Sequence, residues 1–122
     1  MFLLSMNVLM ATDITGDIDN ELMKEQWTFV RFYAPWCAYT QISESKWKQL
    51  TESYGDKVRF VDVNCKQLGT KICKEKYDVR GYPAFKLYKN GRYFDLFKAT
   101  LPRELDVFTE WLNRATSNRR DY

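Results

Sequence analysis

The passage from residues 28–33, TFVRFY, into APWC at 34–37 constrains this chain more than any other stretch. β-Branched and aromatic side chains fill the first six positions almost without interruption, which is the pattern of a strand covered on both faces. Such a strand belongs at the centre of a sheet. Pro35 stops it. From Cys37 onward Ile42, Trp47, Leu50 and Tyr54 recur at three-to-five-residue spacing as far as Gly55, predicting a long helix with a glycine stop.

The remaining elements fall around that unit. Residues 8–12 form a short apolar run that reads as a first strand, and Ile18 and Leu22 lie one helical turn apart in an otherwise acidic segment. Residues 58–64 (VRFVDVN) predict a second buried strand. Leu68 and Ile72 predict a short helix ending near Tyr77, and residues 79–83 (VRGYP) a turn. Two strands, 84–89 and 92–97, flank Asn90-Gly91, the preferred pair for a type I′ hairpin. Pro102 opens the last predicted helix, where Leu105, Phe108 and Leu112 make an apolar stripe that Trp111 widens. Core packing is also expected for Trp27 and Trp47. The order βαβαβαββα implies an α/β fold with a mixed central sheet and helices on both faces.

With 122 residues, 45% of them hydrophobic and 16% aromatic, the chain is of a size to bury one core. One domain is expected over 7–115, with an apolar extension at 1–6 and a polar, frayed tail at 116–122. MFLLSMNVLMA at the start has two readings: the remnant of a leader, or the apolar beginning of a buried strand, since it lacks a basic n-region and a clean small-x-small cleavage site. The net charge of +3 comes from 19 basic and 16 acidic residues scattered along the chain, with Arg119-Arg120 as the compact basic run. Nucleic-acid binding needs a clustered basic face and is not expected. Nor is a membrane span, because no apolar run approaches the roughly 20 residues required. There is no histidine, three dispersed cysteines do not make a zinc spacing, and no glycine-rich phosphate loop is present. Neither metal nor cofactor is therefore expected, and the chain reads as a monomer.

The element order together with FYAPWC at 32–37, GYP at 81–83 and KNG at 89–91 resembles a thioredoxin-fold domain of the protein disulfide isomerase family, over about residues 8–112. The resemblance implies that Cys37 is the N-terminal, nucleophilic cysteine of the redox motif. It makes Pro83 the cis-proline beside the active sulfur, where an extended client segment pairs with the preceding backbone. Trp36, Tyr39 and Tyr82 join Pro83 as client contacts. Cys65 and Cys73 match a structural disulfide, and Arg103 a basic residue that can swing toward the sulfur and assist thiolate formation. An endoplasmic reticulum or other secretory location follows from the same resemblance, with a cytoplasmic location and two reduced, packed cysteines as the alternative.

Four departures from that family pattern bear on chemistry. Thr40 stands where the second redox cysteine belongs, Tyr39 where a histidine precedes it, Arg31 at the buried acid of the central strand, and Ser45 at a kink-forming proline. A helix start favours an anionic sulfur, so attack by Cys37 on a client disulfide is retained. The Thr40 hydroxyl could donate to that sulfur. Arg31 has two readings, a cation beneath the site that favours the thiolate or a stem that carries its guanidinium to the sheet edge or to a carboxylate. Release is altered, because threonine cannot displace the mixed disulfide and a thiol of the client or of glutathione must do so. The expected function is single-cysteine exchange or covalent capture of protein clients bearing thiols or disulfides. The competing function is a client- or partner-binding module without covalent chemistry.

Overall fold

The computed structural model describes residues 11–117. Most of the strand expected over 8–12, the apolar segment at 1–6 and the Arg119-Arg120 pair lie outside the described residues. Five strands, β1 (Thr12–Ile14), β2 (Trp27–Tyr33), β3 (Arg59–Asn64), β4 (Ala84–Lys89) and β5 (Arg92–Phe97), form one sheet in the order β1-β3-β2-β4-β5. β1 and β2 run parallel to β3, whereas β4 is antiparallel to β2 and β5 to β4. This is the thioredoxin fold.

β2 is central, as its composition requires. Side chains alternate along a strand, so Val30 and Phe32 face one layer and Phe29 and Arg31 the other. The first layer holds α1 (Ile18–Leu22), α3 (Cys65–Leu68) and α4 (Thr70–Tyr77), whose Ile18, Leu22, Cys65, Cys73 and Tyr77 pack with Val61, Val63 and Tyr88. In the second layer α2 (Ala38–Tyr54) and α5 (Leu105–Ala115) close over Phe29, Phe60, Phe85 and Leu87. Phe97 and Phe108 stack there at 4.4 Å, and Phe29 meets Trp47 at 5.7 Å. Each such aromatic side chain contributes about 1.5–3 kcal/mol by leaving water.

The β4–β5 hairpin turns at Asn90 and Gly91 with φ of 51° and 85°. Two successive positive values are what a type I′ turn demands, and they account for the Asn-Gly pair.

Three expectations are corrected in detail. The helix expected around Leu68 and Ile72 is two helices, because Gly69 takes φ 116°, ψ 123° and breaks the run. Ile42 does not belong to the buried face of α2: it is 71% exposed, while Thr40, Ser43, Trp47, Leu50 and Tyr54 are buried. The face is set by the spacing of Trp47, Leu50 and Tyr54, which extends back through Ser43 and not Ile42. Pro102 lies before α5, which starts at Leu105 behind Glu104, and its buried stripe is Phe108, Leu112 and Ala115.

Candidate functional site

Where β2 ends, residues 34–37 carry the chain off the sheet and into α2. Cys37 is the N-cap of that helix, with φ −88° and ψ 127°. Its N–H donates to the Ala34 carbonyl at 3.0 Å, and its own carbonyl accepts from Thr40 N at 3.1 Å and Gln41 N at 3.3 Å. The Gln41 amide reaches back to the Pro35 carbonyl at 3.2 Å and closes the loop. Cys37 is thus held at the positive end of the helix, where backbone N–H groups lack intrahelical acceptors.

Across from it, the turn between α4 and β4 contains the cis Tyr82-Pro83 bond. Cys37 Sγ lies 3.6 Å from the Tyr82 carbonyl oxygen, a contact between residues 45 apart in sequence. The Tyr82 ring meets Trp36 edge to face at 5.8 Å. Cys37, Trp36, Tyr82 and Pro83 are therefore brought to one place. Trp36 and Tyr39 are exposed, Cys37 is partly buried and Pro83 is buried.

Thr40 sits one helical turn inside this surface and is only 4% exposed. Its Oγ1 is buried and has no hydrogen-bond partner among the described residues, so the hydroxyl does not bond Cys37 Sγ in this conformation. Cys65 and Cys73 are joined as a disulfide with Cα atoms 6.0 Å apart, leaving Cys37 as the free cysteine.

The two arginines singled out by the sequence are engaged by carboxylates and aromatic rings. Arg31 projects into the second layer, where Nε donates to Asp62 Oδ1 at 2.8 Å and Nη1 to Glu44 Oε1 at 2.6 Å. Its guanidinium also lies over the rings of Tyr33 and Trp47. Burial works to lower its pKa, and the hydrogen bonds and charges of Asp62 and Glu44 outweigh that effect and raise it. The cation is matched by carboxylates. Arg103 lays its guanidinium 5.8 Å from the centre of the Phe85 ring, and its buried Nε has no hydrogen-bond partner among the described residues.

Sequence reasoning missed Asp62 and Glu44. The signal for Asp62 was an acid inside the buried strand VRFVDVN, uninterpretable until the register placed it beside Arg31. Also missed was Lys86, which is 5% exposed and donates from Nζ to the Tyr77 and Asp78 carbonyls at 2.7 and 2.8 Å. It ties the end of α4 to β4, at either side of the turn that carries Tyr82 and Pro83.

A mixed five-stranded sheet, a cysteine opening the helix after its central strand and a cis-proline facing that cysteine define a thioredoxin-fold domain. The thioredoxin family model matches residues 10–114, and the chain belongs to the thioredoxin family. A protein disulfide-isomerase-like protein of Emiliania huxleyi, EhSep2, is 34% identical over 109 residues, covering 78% of this chain and 48% of that protein. Protein disulfide-isomerase of Oryctolagus cuniculus is 29% identical over 105 residues, covering 84% of this chain and 20% of that protein. Form II of human ERp44 superposes with a TM-score of 0.78 at 23% identity, over 88% of this chain and 30% of that structure. The chain thus spans less than half the length of these curated relatives. Among the described residues no helix is long and apolar enough to cross a membrane.

Proposed function

We propose that this protein carries out thiol–disulfide exchange with protein clients through Cys37 alone. The observation that carries this reading is the placement of the free Cys37 sulfur at the start of α2, 3.6 Å from the carbonyl that precedes cis-Pro83, with a buried Thr40 at the next turn. In the forward step the Cys37 thiolate attacks one sulfur of a client disulfide. A Cys37–client S–S bond forms, the client bond breaks, and the second client sulfur leaves as a thiolate that takes a proton. One disulfide is exchanged for another, with no net oxidation.

Release needs a second thiolate from outside the motif. A client thiol completes isomerisation, and glutathione leaves either the client or Cys37 glutathionylated. Until then the client stays covalently held. Residues 7–115 form the exchanging unit, and the likeness to disulfide isomerases and the Cys65–Cys73 disulfide support the endoplasmic reticulum lumen as its location.

The test is capture of a disulfide-bearing peptide by unreduced protein, read by intact mass without reductant. A single adduct mapping to Cys37, lost in Cys37→Ser, is expected; an adduct that persists in Cys37→Ser overturns the assignment. A second reading, a client-binding module without covalent chemistry, is favoured by the exposure of Trp36 and Tyr39 and by the contact of Trp36 with Tyr82. It predicts that Cys37→Ser keeps peptide affinity and that the wild type forms no adduct.

A further inference from the structure

The surface around Cys37 has two flanks of different chemistry. On the α2 flank Trp36, Tyr39 and Ile42 are 62%, 64% and 71% exposed. Tyr39 and Ile42 are three residues apart and share a helix face, and Trp36 immediately precedes Cys37, the N-cap of that helix. Scattered exposed hydrophobics need no explanation, but three gathered along the start of one helix beside a free cysteine do.

On the α4 flank lies a pocket of about 790 Å³ whose walls include Lys71, Lys74, Glu75, Asp78, Arg80 and Tyr82. Arg80 is engaged by Asp78 at 2.9 Å. Lys71 and Lys74, also three residues apart, are exposed and form no ion pair among the described residues, and Glu75 is the acid set against them. Reading the charges as scattered along the chain misses this cluster, which exists only because α4 and the turn at 79–83 fold together. Tyr82 joins the flanks: its ring contacts Trp36, its carbonyl faces Cys37 Sγ and it lines the basic pocket.

We propose that the site selects client segments carrying apolar residues on one side of the reactive cysteine and acidic residues on the other. The apolar residues pack on Trp36, Tyr39 and Ile42, and the carboxylates face Lys71 and Lys74. The inference rests on Cys37 as the attacking sulfur, and it names the client chemistry for that attack. The exchange itself is unchanged: the thiolate bonds the client sulfur, and the sulfur previously attached leaves with its electron pair.

The test uses peptides of equal length, each with one cysteine carried as a neutral 2-pyridyl disulfide whose release is read by absorbance. Leu-Phe occupies one side of the cysteine and Glu-Glu or Lys-Lys the other, in both orders. At low ionic strength the Glu peptide should be captured about fivefold faster than the Lys peptide in one of the two orders, as two exposed charge pairs allow. In about 0.5 M salt the ratio should fall toward one. The charge-reversed variant Lys71→Glu/Lys74→Glu should invert the preference, and Ile42→Ser should weaken the advantage of Leu-Phe over Ser-Ser. An unchanged ratio in the charge-reversed variant overturns the proposal. So does a charge effect seen with glutathione disulfide and not with the peptides.

Binding of the reduced peptides to Cys37→Ser, followed by tryptophan fluorescence, separates this inference from the exchange reading. A Glu preference there with no capture by the wild type sustains the flanks and overturns Cys37 as nucleophile. Capture without any charge preference in either measurement does the reverse.

Discussion

Arg31 and Asp62 stand opposite one another in the parallel β2–β3 register, and Nε of the arginine donates to Oδ1 of the aspartate at 2.8 Å. Burial pushes the Asp62 carboxyl above the usual carboxylate range, against the pull of Arg31. Removing the cation leaves that carboxylate in the second layer with no compensating charge. Arg31→Leu should therefore destabilise the protein by about 3–5 kcal/mol at neutral pH, and Arg31→Leu/Asp62→Leu should recover much of the loss. Denaturant unfolding of the two variants checks the magnitude.

The pH dependence of that variant has a defined sign. Without Arg31 the Asp62 carboxyl titrates higher still in the folded state, so the folded state binds the proton that the unfolded chain does not. Stability then rises as pH falls through the folded-state value toward the unfolded one near 3.8. The deficit of Arg31→Leu relative to wild type should shrink on mild acidification, measured by urea midpoints from neutral pH downward. A deficit independent of pH would mean that packing, not the unpaired charge, is the cost.

Lys86 caps the C-terminal carbonyls of α4 from inside the first layer. Lys86→Met leaves the Tyr77 and Asp78 oxygens without that donor and should cost about 1–3 kcal/mol. Burial holds the Lys86 pKa below its ordinary 10.5, so between the two values the unfolded chain binds the extra proton and stability rises with pH. That alkaline gain should be smaller in Lys86→Met than in the wild type. Parallel unfolding curves of the two proteins from neutral pH to just above 10.5 measure it.

The Cys65–Cys73 disulfide links the first residue of α3 to α4 across the Gly69 break, with both residues fully buried. It closes a loop of about nine residues, which the chain-entropy relation converts to about 2–3 kcal/mol. Cys65→Ser/Cys73→Ser should lose at least that much, because two hydroxyls also enter an apolar layer. A loss well under about 1 kcal/mol in urea unfolding would show that the bridge adds little to this fold.

Thr40→Cys places a sulfur in a buried site where the present hydroxyl has no hydrogen-bond partner among the described residues. Losing an unsatisfied buried hydroxyl removes a cost of about 1–3 kcal/mol, so the variant should fold at least as stably as the wild type. Its mixed disulfides with peptides should become short-lived, since the new thiol can displace the client. Time-resolved quenching with acid, followed by intact mass, reads the lifetime. Adducts of unchanged lifetime would count against Cys37 as the attacking group.

What the sequence determined by itself is local. Residues 28–33 carry the composition of a doubly covered strand, and β2 is central and covered. Asn90-Gly91 is a type I′ pair because only such residues accept two positive φ values cheaply, and the turn is there. The long helix after Cys37 and the apolar stripe of α5 follow from periodicity in the same way. The pairing of Cys37 with Pro83 came from resemblance alone, since nothing local joins two turns 46 residues apart.

Tertiary structure decided the rest. Whether Arg31 served the sulfur or a carboxylate depended on register, because Asp62 reaches it only through β2–β3 pairing and Glu44 only through the docking of α2. Ile42 fits an apolar spacing in sequence, yet the sheet receives the face of Trp47 and Leu50, and Ile42 is left in solvent beside the site. Lys71, Lys74 and Arg80 look like dispersed charge until α4 and the following turn bring them around Tyr82. Asp62 meets Arg31 from a strand 31 residues on, whereas the exposure of Ile42 and the grouping of Lys71, Lys74 and Arg80 depend on how α2, α4 and the following turn are set against the sheet. Spacing along one element reports which side chains share a face, but which partner that face meets is set by how the layers pack.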